Sequence, residues 1–193
     1  MQNHGFNHIG LATRDVDRTI AFYRDILGFT VVRYDKIEIE EGGHVRHVFL
    51  DCGGNQTISF VGPEGVPGVA DWKTGINEGL GVPKGFYHFA FHAESEEELI
   101  KRQQSLIGHG IPVTHVVDHD WCKGIYFIEP VNGLSLEFCA YAREFNDDDR
   151  ILSSRFKSPW AGFDYDASAY ITQEKSRFEV LDSRRAEKEL TES

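Results

Sequence analysis

Long apolar runs are missing from this chain. Nowhere do 18 apolar residues follow one another, which removes a membrane-spanning helix from consideration. Cysteine is scarce, with three in 193 residues. Cys52, Cys122 and Cys139 are widely spaced and form no CxxC pair, so they read as reduced thiols of a cytoplasmic protein rather than a disulfide framework. Positive charge is in the minority: 20 Lys and Arg stand against 31 Asp and Glu, for a formal charge of −11. Nucleic acid and anionic membranes require clustered cations, so neither is an expected partner. The opening MQNHGFNHIG also lacks the charged, apolar, small-residue order of a secretory signal, which agrees with a cytoplasmic location. What the chain does have is 40% hydrophobic and 12% aromatic residues, enough for a packed interior.

The stretch NHIGLATRDVDRTIAFYRDILGF, residues 7–29, places a histidine, His8, on an apolar strand just before a helix. Asp15 is positioned to cap that helix, Ile20, Tyr23 and Leu27 recur at helical spacing, and Gly28 suits a left-handed stop. FTVVRY, HVRHVFLDC and NQTISFVG follow as strands, with Gly53, Gly54 and Asn55 as a turn.

The pattern then repeats. From Gly85, GFYHFAFHAESEEELIKRQQSLIGHGIPVTHVV again offers a histidine-bearing strand and a helix. Ser95 with Glu98 predicts a capping box, and Gly108 occupies the place of Gly28. IPVTHVV, GIYFIEP and GLSLEFCAY supply three more strands, and His88 follows His8 by 80 positions. The expected fold is α+β: two βαβββ modules, 1–62 and 86–142, joined by a Gly- and Pro-rich linker, 63–85. About a pseudo-twofold axis, they would pair into a metal-centred, partly open β-barrel. Residues 143–193 form an extension whose aromatics (Phe156, Trp160, Phe163, Tyr165 and Tyr170) are expected to pack on the domain, a partner subunit or the cavity mouth.

Such pairing brings first and last strands to a shared centre. The last strand of the second module carries Glu137 inside LSLEFCA, where a carboxylate is costly unless paired or metal-bound. Its counterpart in the first module is Ser59. His8, His88 and Glu137 thus form a candidate ligand set for one divalent metal. Two histidines and a carboxylate on one face leave the opposite positions open, which suits Fe(II) with substrate and dioxygen; Mn, Zn, Ni or Co could also occupy it.

On these residues, the chain resembles the vicinal oxygen chelate superfamily over residues 6–142. That superfamily includes glyoxalase I, methylmalonyl-CoA epimerase, fosfomycin and bleomycin resistance proteins and type I extradiol dioxygenases. The resemblance implies the same three metal ligands. HDWCKGIYFIEPVNGLSLEF is similar to the extradiol signature, supplying His119, Ile125, Tyr126, Glu129, Pro130, Gly133 and Glu137 in order, with one residue inserted in EPVNG. By this resemblance His119 would bond substrate or the bound oxygen species, and Tyr126 would contact the substrate oxygen beside the metal.

The chain departs from that pattern at Gln56 or Thr57, where the extradiol enzymes carry an acid–base histidine; His44, His47 and His92 are candidate substitutes. Ser59 stands where glyoxalase I supplies a fourth ligand, and Glu38, Glu40 and Glu41 read as a solvated strand end rather than an epimerase base. The expected function is therefore Fe(II) ring-cleaving oxygenation of a catechol-like substrate, in a homodimer. A redox-neutral isomerase, epimerase or lyase and a non-catalytic small-molecule binding or resistance protein remain alternatives.

Overall fold

A computed structural model describes residues 5–69, 72–151 and 170–171. The chain divides into two compact units, residues 1–79 with 131–133 and residues 80–130 with 134–193. The fold is mixed α+β, built on two open sheets. Of the extension, Phe156, Trp160, Phe163 and Tyr165 lie outside the described residues.

The first unit runs β1 (His8–Ala12), α1 (Val16–Ala21), a π-helical turn (Phe22–Ile26), β2 (Thr30–Glu38), β3 (His44–Gly53), β4 (Gln56–Glu64) and α2 (Ile76–Leu80). Its sheet has the order β1-β4-β3-β2, with β1 and β4 parallel. Asp15 caps α1 as the sequence predicts, its side chain accepting the Arg18 amide at 2.9 Å. The helix does not run through to Gly28 in one register. It widens into a π turn at Phe22, which sets Phe22 and Tyr23 both fully inside the core. Tyr23 packs on Phe60 with ring centroids 4.9 Å apart, and Val48, Leu50 and Ile58 complete the sheet's buried face. Gly28 does adopt the left-handed conformation, with φ 79°. The segment 131–133 joins this unit through Asn132, whose side-chain amide donates to the Thr19 hydroxyl at 3.0 Å.

The second unit runs β5 (Phe89–His92), α3 (Glu96–Gly108), β6 (Val113–Thr114), β7 (Val117–Asp118), β8 (Cys122–Ile128), β9 (Ser135–Tyr141), a 3₁₀ turn (Asp147–Arg150) and β10 (Tyr170–Ile171). Its sheet is ordered β10-β6-β8-β9-β5, with β7 paired to β8. Leu99 and Leu106 of α3 are buried, and Arg102 lies over the Phe138 ring of β9 at 4.3 Å.

Two local expectations need correction. Ser95 caps α3, accepting the Glu98 amide at 3.3 Å, but Glu98 does not reach back to the cap residue's own amide. Its carboxylate accepts the Glu94 N–H instead, one residue earlier, and also holds Arg102. Gly108 remains the last helical residue, and the left-handed turn falls at Gly110, φ 72°, because the chain makes one more tight turn through His109 before β6.

Candidate metal centre

The two sheets place their first and last strands in matching register. Gly10 of β1 stands opposite Ser59 of β4, and Ala90 of β5 stands opposite Glu137 of β9. Ser59 and Glu137 are therefore equivalent positions of the repeat, and His8 and His88 both lie two residues before the paired glycine or alanine. Side chains two apart on a strand share a face. Each histidine consequently belongs to the face that carries Ser59 or Glu137.

In the second unit this face holds a compact polar group. Glu137 is only 4% exposed, and its carboxylate Oε2 lies 3.4 Å from His88 Nε2. The other ring nitrogen, Nδ1, is 3.0 Å from the Gly85 carbonyl. A carbonyl can only accept, so Nδ1 carries the proton and the neutral ring turns a lone pair at Nε2 toward the carboxylate. Two acceptors facing each other, one of them a buried carboxylate, favour a cation between them, either a proton or a metal. The Glu137 partnership accordingly raises the His88 pKa, as does the Gly85 carbonyl, against the opposing effect of burial.

Glu137 also has a prepared space. Gly124 sits on the neighbouring strand β8, and a Cβ there would collide with the Glu137 carboxylate. Tyr126 is the direct cross-strand partner of Glu137, and its ring meets the His88 ring edge-on at 5.9 Å between centroids. The Tyr126 hydroxyl is 2.8 Å from His119 Nε2. His119 is held by a tight turn: its amide donates to the Cys122 carbonyl, and Asp120 beside it takes the left-handed conformation at φ 73°. A non-glycine residue in that region costs about 1 kcal/mol or more, and such strain concentrates at functional sites.

In the first unit, His8 is exposed and its Nδ1 lies 2.8 Å from the Asn7 side-chain oxygen, which again leaves Nε2 as the available lone pair. Its ring packs edge-on against Phe49, and the His47 ring meets Phe49 in a tilted contact at 4.3 Å between centroids. Burial lowers the His47 pKa. His44 is engaged elsewhere, paired with Glu64 at 2.8 Å. Glu38 pairs with Lys36 at the exposed end of β2, consistent with a solvated strand end.

The structure thus gathers His88, Glu137, Tyr126 and His119 in the second unit and places His8 in the first. Among the described residues, no group of three or more His, Cys, Asp or Glu side chains is close enough together to hold a metal. The donor chemistry of the pieces still fits a divalent cation: two imidazoles with Nδ1 already engaged, and a buried carboxylate facing one of them. Cys139 and Cys122 share the face, and burial pushes both thiols up. Sequence reasoning missed Asn7, the Gly85 carbonyl and Gly124. Only Asn7 left a signal, as a side-chain acceptor directly beside His8.

A model of the Glyoxalase/Bleomycin resistance protein/Dioxygenase superfamily matches residues 5–152. No curated protein matches the chain. Among solved structures, the glyoxylase/bleomycin resistance protein/dioxygenase domain from Frankia sp. EAN1pec is similar with TM-score 0.54 and 19% identity, over 71% of this chain and 97% of that one. SMU.1112c is similar with TM-score 0.52 and 24% identity, over 70% and 97%. TnmS3, an antibiotic binding protein from Streptomyces sp. CB03234, is similar with TM-score 0.51 and 14% identity, over 74% and 99%. At these identities the likeness is one of fold.

Proposed function

The chain belongs to the Glyoxalase/Bleomycin resistance protein/Dioxygenase superfamily, and from that premise we propose that it is a metal-dependent enzyme that opens the ring of a catechol-like substrate with dioxygen. Its metal ligands are His8, His88 and Glu137, and its preferred metal is Fe(II). The observation that carries the reading is the 2.8 Å bond between His119 and Tyr126, on the sheet face that holds His88 and Glu137.

When bound, Fe(II) would supply open coordination positions for both substrate oxygens and dioxygen, together with the electron exchange that spin-paired organic substrates need. The chain's own residues handle protons and orientation. The Tyr126 hydroxyl can accept a proton from a substrate hydroxyl while donating its own to His119 Nε2, so the pair removes one proton from the diol on binding. The Gly85 carbonyl fixes the His88 ring, and the absence of a Cβ at Gly124 leaves room for the Glu137 carboxylate. Overall, one ring carbon–carbon bond beside the diol breaks and both oxygen atoms enter the product.

The deciding experiment is oxygen uptake by protein purified without air, loaded with Fe(II) and given substituted catechols. Uptake matched mole for mole by a yellow ring-opened product supports the reading. A redox-neutral isomerase or lyase is the second reading, favoured by Gln56 at the place of the extradiol acid–base histidine. Product formation without oxygen uptake would select it.

A further inference from the structure

Tyr126 is held by its backbone as well as by its hydroxyl. Val113 of β6 stands opposite Phe127 of β8, which puts Thr114 opposite Tyr126. The ladder resumes on β7, where Val117 pairs with Gly124. His115 and Val116 therefore face Ile125 alone, two residues against one, which is a β-bulge beside Tyr126.

At this bulge the usual hydrogen-bond partners are exchanged. A regular antiparallel ladder would send the Tyr126 amide to the Thr114 carbonyl. That carbonyl instead accepts the Gln103 side-chain amide of α3 at 2.7 Å. The Tyr126 N–H donates to the Thr114 hydroxyl, at 2.9 Å and buried. Thr114 is 3% and Tyr126 9% exposed, so the amide depends on a partner from the protein.

The exchange matters at the far end of the side chain. The Tyr126 hydroxyl lies 2.8 Å from His119 Nε2, and its ring meets the His88 ring edge-on. A hydroxyl takes the amide from a different direction than the carbonyl of the same residue would, so a return to the regular ladder would shift β8 at Tyr126. Misplacing a reacting group by about 1 Å costs on the order of 10²-fold in rate.

We propose that Thr114 is a positioning residue: its hydroxyl takes the Tyr126 amide while Gln103 holds its carbonyl, and so sets the phenol of Tyr126 against His119. The effect on rate rests on the proton role given to Tyr126 above; the placement does not.

Placement is read first, in metal-free protein without substrate, so that its failure is distinct from failure of the catechol reading. With nitrogen-15-labelled histidine, the Tyr126 hydroxyl proton should correlate with His119 Nε2 by NMR, a signal assigned by its loss in Tyr126→Phe. Thr114→Val keeps the shape, removes the hydroxyl and should abolish or displace the signal. Thr114→Ser should retain it. Thr13→Val, which removes a buried hydroxyl from the first unit, should leave it unchanged. If Thr114→Val does not fold, Gln103→Leu decides, because the released carbonyl draws the Tyr126 amide back to the ladder and should move the same signal. On a catechol that is turned over, Thr114→Val should lower kcat about ten-fold or more with KM within about two-fold, and Thr114→Ser should stay within about three-fold of the unaltered protein. No catechol turnover with the signal moved as expected leaves the placement standing and removes the catechol reading. A signal absent from the unaltered protein, unmoved in Thr114→Val (or in Gln103→Leu where that variant decides), or lost in Thr114→Ser overturns the proposal, as does an unchanged kcat in Thr114→Val.

Discussion

His88 faces Glu137 across 3.4 Å with its second nitrogen held by the Gly85 carbonyl, so the two groups meet as a pair of acceptors that only a cation reconciles. The Glu137 carboxylate raises the His88 pKa, which favours a proton in that place. A divalent metal would displace it. His88→Ala should therefore reduce metal content, read by elemental analysis after dialysis, from near one per chain to background. The circular dichroism spectrum should stay unchanged, because His88 lies at an exposed strand start. Retained stoichiometric metal would remove His88 from the ligand set.

The space beside Gly124 makes a sharper prediction. Gly124→Ala adds one methyl group where the Glu137 carboxylate lies. Metal affinity should fall ten-fold or more, while Gly79→Ala, at an open surface position with no contact under 3.8 Å, should leave it unchanged. Equal affinities in the two variants would mean that Glu137 is not placed by β8.

His119 and Tyr126 share one hydrogen bond and should act as a unit. His119→Ala and Tyr126→Phe should each lower kcat by about 10²-fold, the low end for a proton-transfer group, with metal content unchanged. The double variant should lose little more than either alone. Additive losses would show that the two residues serve separate steps.

Acid sensitivity follows from Glu98. The Glu94 amide, then Arg102, hold its carboxyl below the usual glutamate range against the opposing effect of burial. A carboxylate with a depressed folded pKa stabilises the protein above its unfolded value, about 4.3, and loses that contribution as the pH falls through the folded value. Glu98→Gln should cost about 1 kcal/mol at pH 7, the usual worth of a helix-start contact, and progressively less as the pH falls below the unfolded value. Thermal melts at pH 7 and below the unfolded value check the sign.

Asn132 anchors its loop to the first unit by donating to Thr19, which also bonds Thr13 at 2.8 Å. Asn132 is 3% exposed, so Asn132→Ala removes a buried donor to Thr19 and should cost about 1–3 kcal/mol in urea unfolding. A loss under 0.5 kcal/mol would show that Thr13 and Thr19 satisfy each other.

Most elements were legible locally because their signals are local. The Asp15 cap and the turn at Gly53 to Asn55 each involve residues a few positions apart, where side-chain type and spacing determine the backbone. The helix ends were read less well. Glu98 had two nearby amides within reach, and spacing alone could not say that Glu94 would win over Ser95. The π turn at Phe22 likewise arises from packing Phe22 and Tyr23 together in the core, a demand that helical periodicity does not record.

By itself, the sequence determined a repeat of 80 residues with a histidine on each first strand and one carboxylate on the last, because a strand's alternation reveals which residues share a face. Only tertiary structure decided the rest. A turn seven residues before Tyr126 returned His119 to its hydroxyl, and Gly124 left room for a carboxylate on a different strand. These relations join residues through cross-strand pairing, whose partners are chosen by the burial of whole faces rather than by neighbours in the chain.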